Sequence, residues 1–321
     1  MRDELERSYM PNDFWSESDI PDLSGRTAIV TGANSGIGFE ATRLLAGNGA
    51  RVIMAVRSEA RGENAAEALR GNLPGSLQVR TLDLASLDSI RDFAADFTAD
   101  FEELHFLFNN AGIMAIPRSE TADGFERQFG VNHLGHFALT AQLFDVLAAT
   151  PGESRILTQS SGMHERGRID FEDLQSVSAY DRWAAYAQSK LANVLFALEL
   201  DRRLSSAGIE GVTSVATHPG YADTALQQRG PEQDGSRLKS WLMKLANTLF
   251  AQSARAGAWP ILYAATDPSV EGGEYVGPTG FLNMRGQPGV QSPSDRAKDE
   301  DVAERLWTVS AALTGVEFPF E

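Results

Sequence analysis

From Arg26 onward the chain repeats one pattern: a short apolar, β-branched run ends in glycine or a polar residue, and a longer helical stretch follows. The runs cover residues 27–30, 52–56, 77–82, 104–108, 155–158 and 212–216. Helical patterns at 37–47, 59–70, 87–101, 124–149 and 183–205 lie between them. A parallel strand pair needs a crossover rather than a tight turn, so this alternation predicts an α/β fold. Nearly continuous apolar runs such as 104–108, interrupted only by His105, suit strands covered on both faces. The expected architecture is a doubly wound parallel sheet with helices on both faces, in a single domain.

The loop after the first run reads Thr31-Gly32-Ala33-Asn34-Ser35-Gly36-Ile37-Gly38 and opens the first helix. Glycines allow a tight turn and let the backbone approach a pyrophosphate, which the free N–H groups and dipole of the helix start then attract. A loop of this kind between strand and helix makes the sheet Rossmann-like and assigns Gly32, Asn34, Ser35, Gly36, Ile37 and Gly38 to a dinucleotide. The second run ends Met54-Ala55-Val56-Arg57, with no acid to hold a ribose 2′-hydroxyl. Arg57 suits a 2′-phosphate instead, so the expected cofactor is NADP(H). A surface pairing of Arg57 with Glu59 is the alternative. Asp83 and Leu84 follow the third run. There a carboxylate would bond an adenine amino group, or else cap the next helix in competition with Ser86.

Composition removes several classes of chemistry. The chain has no cysteine, which excludes disulfides, thiolate metal sites and cysteine nucleophiles. Its five histidines are scattered, and His133 and His136, which share a helical pattern, have no evident third ligand, so no metal site is expected. The formal charge is −16, from 44 acidic and 28 basic residues, which disfavours binding to nucleic acid. Only four residues are lysines, a skew compatible with a high-salt cytoplasm or with an arginine-rich genome. No apolar run approaches the roughly 18–20 residues of a membrane span, and the N-terminus lacks a signal-peptide core. The expectation is a soluble cytoplasmic protein.

Tyr186 and Lys190 are four residues apart in a helical pattern and therefore share one helix face. A phenol titrates near 10, and a neighbouring ammonium lowers that value toward the range useful for proton exchange. Tyr186 is then a candidate general acid and base. A Tyr-xxx-Lys pair alone is a common helix-face pattern. Further polar segments fall at run ends: Asn109-Asn110-Ala111-Gly112, Ser160-Ser161, and His218-Pro219-Gly220 with Thr224 beyond. That is the edge where open α/β sheets bind ligands. Asn132 sits inside a helical pattern, where asparagine is a weak helix former and needs a reason.

These motifs, in this order, closely resemble the short-chain dehydrogenase/reductase family over roughly residues 25–224. The resemblance implies an NADP(H)-dependent oxidoreductase and a catalytic tetrad of Asn132, Ser161, Tyr186 and Lys190. Ser161 would polarise the substrate oxygen and Tyr186 would exchange the proton. Lys190 would lower the tyrosine pKa and hold the nicotinamide ribose, and Asn132 would steady a water beside Lys190. Asn110, Ala111, Gly112, Pro219, Gly220 and Thr224 would border the cofactor. Strand alternation sends only one of Ser160 and Ser161 into the site, and the family pattern favours the second. Residues 162–182, with Tyr-Ala-Gln-Ser-Lys-Leu-Ala-Asn-Val-Leu-Phe, look like the retinol dehydrogenase and WW-domain-oxidoreductase-like branch. The neighbouring protochlorophyllide reductase branch uses active-site cysteines that have no counterpart here.

The predicted organisation is an N-terminal extension at 1–23 and an NADP-binding domain at 24–316, with a substrate-covering region at about 221–254. Leu238, Trp241, Leu242, Leu245 and Leu249 form a helical stripe in that region. It reads first as a lid over a hydrophobic substrate, and less readily as an ordinary packed helix or a membrane-surface contact. The expected substrate is a lipophilic alcohol, aldehyde or ketone, and the family habit suggests a homodimer or homotetramer. A dinucleotide-sensing protein without turnover, and a double-bond reductase of the protochlorophyllide type, are the alternatives.

Overall fold

The computed structural model describes residues 14–71, 73–220 and 253–320. Six strands fall where the apolar runs predict them: β1 (Thr27–Thr31), β2 (Arg51–Val56), β3 (Ser76–Thr81), β4 (Phe106–Asn109), β5 (Ser154–Gln159) and β6 (Val212–Thr217). Two more follow near the C-terminus, β7 (Tyr275–Pro278) and β8 (Pro288–Gln291). They form one sheet in the order β3-β2-β1-β4-β5-β6-β7-β8. Neighbours are parallel through β7, and β8 closes the edge antiparallel to it. Chain order reverses at β1, so the crevice beyond the ends of β1 and β4 is the ligand site of such a sheet.

Side-chain alternation divides the core between the two faces. Ala28, Val30, Val52, Met54, Val56, Phe106, Phe108 and Leu157 pack into one cluster. Ile29, Ile53, Ala55, Leu107 and Ile156, each one residue out of phase, pack into the other. The first face is covered by α1 (Gly36–Gly47) and, beyond the turn Ala254–Gly257, by α7 (Trp259–Thr266). The second face is covered by α3 (Leu87–Asp100), α4 (Gly135–Gln142), α5 (Phe144–Ala149), α6 (Arg182–Ser206) and α8 (Glu300–Thr314). Helix α2 (Glu59–Leu69) packs on β2 and β3.

Three local departures from the sequence pattern have physical causes. The strand in the run at 104–108 begins at Phe106; at His105 the buried ring accepts the Thr27 amide at Nδ1, 3.1 Å away, while the His105 amide donates to the Thr27 carbonyl at 2.9 Å. The single helix expected over 124–149 is broken: a turn at Arg127–Phe129 runs into a π-helical segment, Gly130–Leu134, and Leu143 separates α4 from α5. The flanks also join the core. Trp15, Ile20 and Leu23 are buried with Trp259 and Tyr263, and Phe318 is buried against Phe137 and Trp307. Among the described residues no helix is long and apolar enough to cross a membrane.

Candidate active site

The glycine loop is held in shape from inside the sheet. Thr31 Oγ1 accepts the amides of Asn110 and Ala111, each at 2.9 Å, and Asn110 Nδ2 donates to the Thr31 carbonyl at 2.8 Å. Gly32 and Gly36 have φ of 68° and 58°, where a side chain is strained. A Cβ on Gly38 would stand 2.5 Å from the Gly32 carbonyl oxygen and 2.6 Å from Asn110 Nδ2. The glycines therefore keep a backbone-lined cradle open at the start of α1, which fits a pyrophosphate. Arg57 and Ser58 border the cavity at the end of β2, and Arg61 borders it one turn into α2. Among the described residues neither guanidinium is in an ion pair, so the pairing of Arg57 with Glu59 is not formed. Asp83 Oδ1 accepts the Ala85 amide at 3.0 Å, while Ser86 caps α3. Asp83 and Leu84 line the same cavity.

The second group of residues converges from β4, the π-helical segment, β5 and α6. Asp181 starts α6 by accepting the amides of Trp183 and Ala184, which puts Tyr186 and Lys190 on the face toward β5. Lys190 Nζ donates to the Gln159 carbonyl at 2.9 Å and lies 5.9 Å from the centre of the Tyr186 ring. Ser160 Oγ turns away to the Lys190 carbonyl at 2.7 Å. Ser161 instead faces the cavity, where its hydroxyl bonds to Tyr186. Asn132 is fully buried, and both halves of its amide are used. Its Oδ1 accepts the Ile113 amide at 2.8 Å, and its Nδ2 reaches the Ile113 carbonyl and Ser189 Oγ, each at 2.9 Å. The asparagine thus ties the loop after β4 to α6. Gly112 lies between Asn132 and Lys190; a Cβ there would be 3.2 Å from Asn132 Oδ1 and 3.5 Å from Lys190 Nζ.

Burial dominates the electrostatics. It pushes the Tyr186 phenol up to about 12, opposed only by the Ser161 hydrogen bond. It also pulls the Lys190 ammonium down to about 7. The expected lowering of the tyrosine by the lysine is not seen here: desolvation raises the phenol, and Ser161 is the group that opposes it. His133 ties the π-helical segment to α8 through Ser310, and His136, in α4, bonds the Asn132 carbonyl and Thr31.

The glycine loop, Arg57, Asp83, Ser161, Tyr186 and Lys190 border one cavity of about 1290 Å³, beyond the roughly 300–1,000 Å³ of a site for one small molecule, whereas the buried Asn132, His133 and His136 are not part of its lining. Its lining runs from Gly32–Gly38, Arg57 and Asp83 past Asn110–Gly112 to Ser161, Tyr186, Lys190, Pro219 and Gly220. The rest of the lining mixes apolar residues, Ile113, Met114, Met163, Trp183, Leu282 and Met284, with charged ones, Arg127, Glu165, Arg166 and Asp181. Thr224, the predicted helical stripe and nearly all of 221–254 lie outside the described residues.

A profile of the short chain dehydrogenases matches residues 26–235. The chain belongs to that family. Human retinol dehydrogenase 12 is 43% identical over 299 residues, spanning 92% of this chain and 88% of the relative. Mouse polyprenol dehydrogenase is 42% identical over 305 residues, or 92% and 86% of the two chains. A crystal structure of an uncharacterized Mycobacterium paratuberculosis protein superposes with a TM-score of 0.79 at 42% identity, covering 96% of this chain and all of the other. The chain is accordingly an oxidoreductase of the retinol dehydrogenase-like branch, in a family that uses a nicotinamide dinucleotide.

Several cavity residues escaped the sequence motifs. Arg61, four residues after Arg57, carried a usable signal in its one-turn spacing. Trp183, Met163, Leu282 and Tyr275 carried none, because they reach the cavity from separate elements.

Proposed function

We propose that this short-chain dehydrogenase interconverts a carbonyl and an alcohol on a lipophilic small molecule, using NADP(H). The observation that carries this reading is the convergence of Ser161, Tyr186 and Lys190 on the same cavity as the glycine cradle and a group of apolar side chains. The dinucleotide would supply or accept the hydride. Ser161 donates a hydrogen bond to the substrate oxygen, and Tyr186 gives that oxygen a proton in reduction or takes one in oxidation. Lys190, held on the Gln159 carbonyl, bears the charge that lets a buried phenol part with its proton. Trp183 and the methionines give the cavity apolar surface for a lipophilic substrate. Retinol and polyprenol, named in the relatives, are long apolar alcohols, in keeping with that lining.

Support for the phosphorylated cofactor comes from Arg57 and Arg61, two cations without ion-pair partners among the described residues, beside a strand end that has no acid. Fluorescence titration with NADPH and NADH tests it. Arg57→Ala should weaken NADPH by about tenfold to a hundredfold and leave NADH unchanged. Arg61→Ala should cost NADPH about threefold to tenfold. Equal affinity for the two cofactors in the wild type would sink the NADP assignment.

A further inference from the structure

His164 lies in the turn after Ser161 and is 1% exposed. Its Nε2 receives the backbone N–H of Ser294 at 3.2 Å. A backbone amide only donates, so Nε2 carries a lone pair. Burial holds the imidazole below its usual pKa, so the ring is neutral with its one proton on Nδ1. That Nδ1–H donates to the Ser161 carbonyl at 2.9 Å. The Tyr275 hydroxyl oxygen lies 3.3 Å from the same nitrogen. With Nδ1 a donor, the phenol oxygen can only accept there, and its own hydrogen has to point elsewhere.

The Tyr275 ring has little freedom to turn. It stacks on His218 with centroids 5.1 Å apart and planes 13° apart, and it meets the His164 ring edge-on, also at 5.1 Å. His218 is itself fixed. Gln291 Nε2 donates to the Pro278 carbonyl at 2.7 Å, which leaves Gln291 Oε1 to accept from His218 Nε2 at 3.1 Å. His218 Nδ1 then accepts the Gly220 amide at 3.3 Å. Gly277 leaves the room that the His218 ring fills. Among the described residues the Tyr275 O–H has no acceptor, although the ring is 3% exposed. Burial, together with the charge of nearby Glu165, keeps the phenol protonated. Among the described residues, the direction left open is the cavity that Tyr275 lines.

We propose that Tyr275 is a specificity-determining residue whose hydroxyl donates to a second oxygen of the substrate, beside the oxygen held by Ser161 and Tyr186. An unpaired buried donor is unfavourable, and such an oxygen satisfies it. The preferred substrates therefore carry two oxygen functions, as in hydroxyketones and diketones. The inference rests on the carbonyl reading above.

Two probes separate the possibilities: propiophenone and 1-phenylpropane-1,2-dione, offered with NADPH to the wild type and to Tyr275→Phe. The variant keeps the ring and loses only the donor. KM for the dione, and its affinity measured by quenching of bound NADPH, should weaken about threefold to tenfold. Values for propiophenone, NADPH affinity and melting temperature should stay unchanged. Equal losses on both ketones, no loss on either, failure of both to bind, or a loss confined to NADPH affinity would overturn the proposal. The nitrogen chemical shifts of His164 give a readout independent of turnover. An Nδ1–H tautomer is expected, and an Nε2–H tautomer overturns the assignment. A wild type that binds NADPH and the dione but reduces neither ketone counts against the carbonyl reading alone, since the dione affinity of the variant still decides Tyr275.

Discussion

The two halves of the cavity are built from opposite materials. On the β1–β3 side the surface offered to a ligand is mainly backbone, opened by missing side chains at Gly32, Gly36 and Gly38 and flanked by exposed arginines. On the β4–β6 side it is made of polar side chains, the half-buried Ser161 and the buried Tyr186 and Lys190 with the supporting Asn132, most of them hydrogen-bonded within the protein. The first half should be sensitive to atoms added and the second to atoms removed.

The largest expected effect tests the second half. Tyr186→Phe deletes one oxygen and should lower kcat by about a hundredfold to ten-thousandfold, with NADPH affinity and melting temperature nearly unchanged. A loss of less than about tenfold in steady-state assays would remove Tyr186 from the proton transfer. Adding one methyl tests the first half. Gly38→Ala should cost about 1–3 kcal/mol of stability in urea titration and abolish dinucleotide binding, because both neighbours of the new Cβ belong to the cradle. Wild-type stability and binding in that variant would show that the loop has slack.

A pH experiment sharpens the contrast further. Lys190 titrates near 10.5 when unfolded and near 7 in the fold. Between those values the unfolded chain holds a proton that the folded chain has released, so stability rises with pH across the window. Compared with Lys190→Met, ligand-free wild type should gain on the order of 2 kcal/mol from pH 7 to 9. Parallel pH profiles for the two proteins would mean that the ammonium stays charged in the fold, sustained by the Gln159 carbonyl.

The same contrast governs what could be read without coordinates. Six strands and the glycine loop declare themselves through local period and spacing, and the alternation of Ile29 against Ala28 and Val30 already divides the core. Strand alternation showed that only one of Ser160 and Ser161 would face the ligand, but not which; the family pattern named Ser161, and Ser160 Oγ bonds the Lys190 carbonyl instead. What stayed hidden depends on distant partners. The π-helical turn around Asn132 exists to bring its amide onto Ile113 and Ser189, which no local period announces. The short strands β7 and β8, rich in glycine and proline, lack the apolar run that marks a strand, yet they bring Tyr275 to the site. The burial that raises Tyr186 is a property of the assembled layers, whereas helix spacing alone suggested only the opposing influence of Lys190.

The clasp at the N-terminus bears on the order of synthesis. Glu17 binds Arg255 and Trp259, and Trp15 packs on Trp259 and Tyr263, so these opening residues find their partners only after some 240 more have been made. The inner face of β1 likewise shares its cluster with Ala258, Ile261 and Leu262. A ribosome adding roughly 5–20 residues per second therefore exposes that apolar face, with the glycine cradle already made, for tens of seconds or less before α7 covers it. Nascent chains stalled before residue 258 should be the form of this protein that chaperones hold.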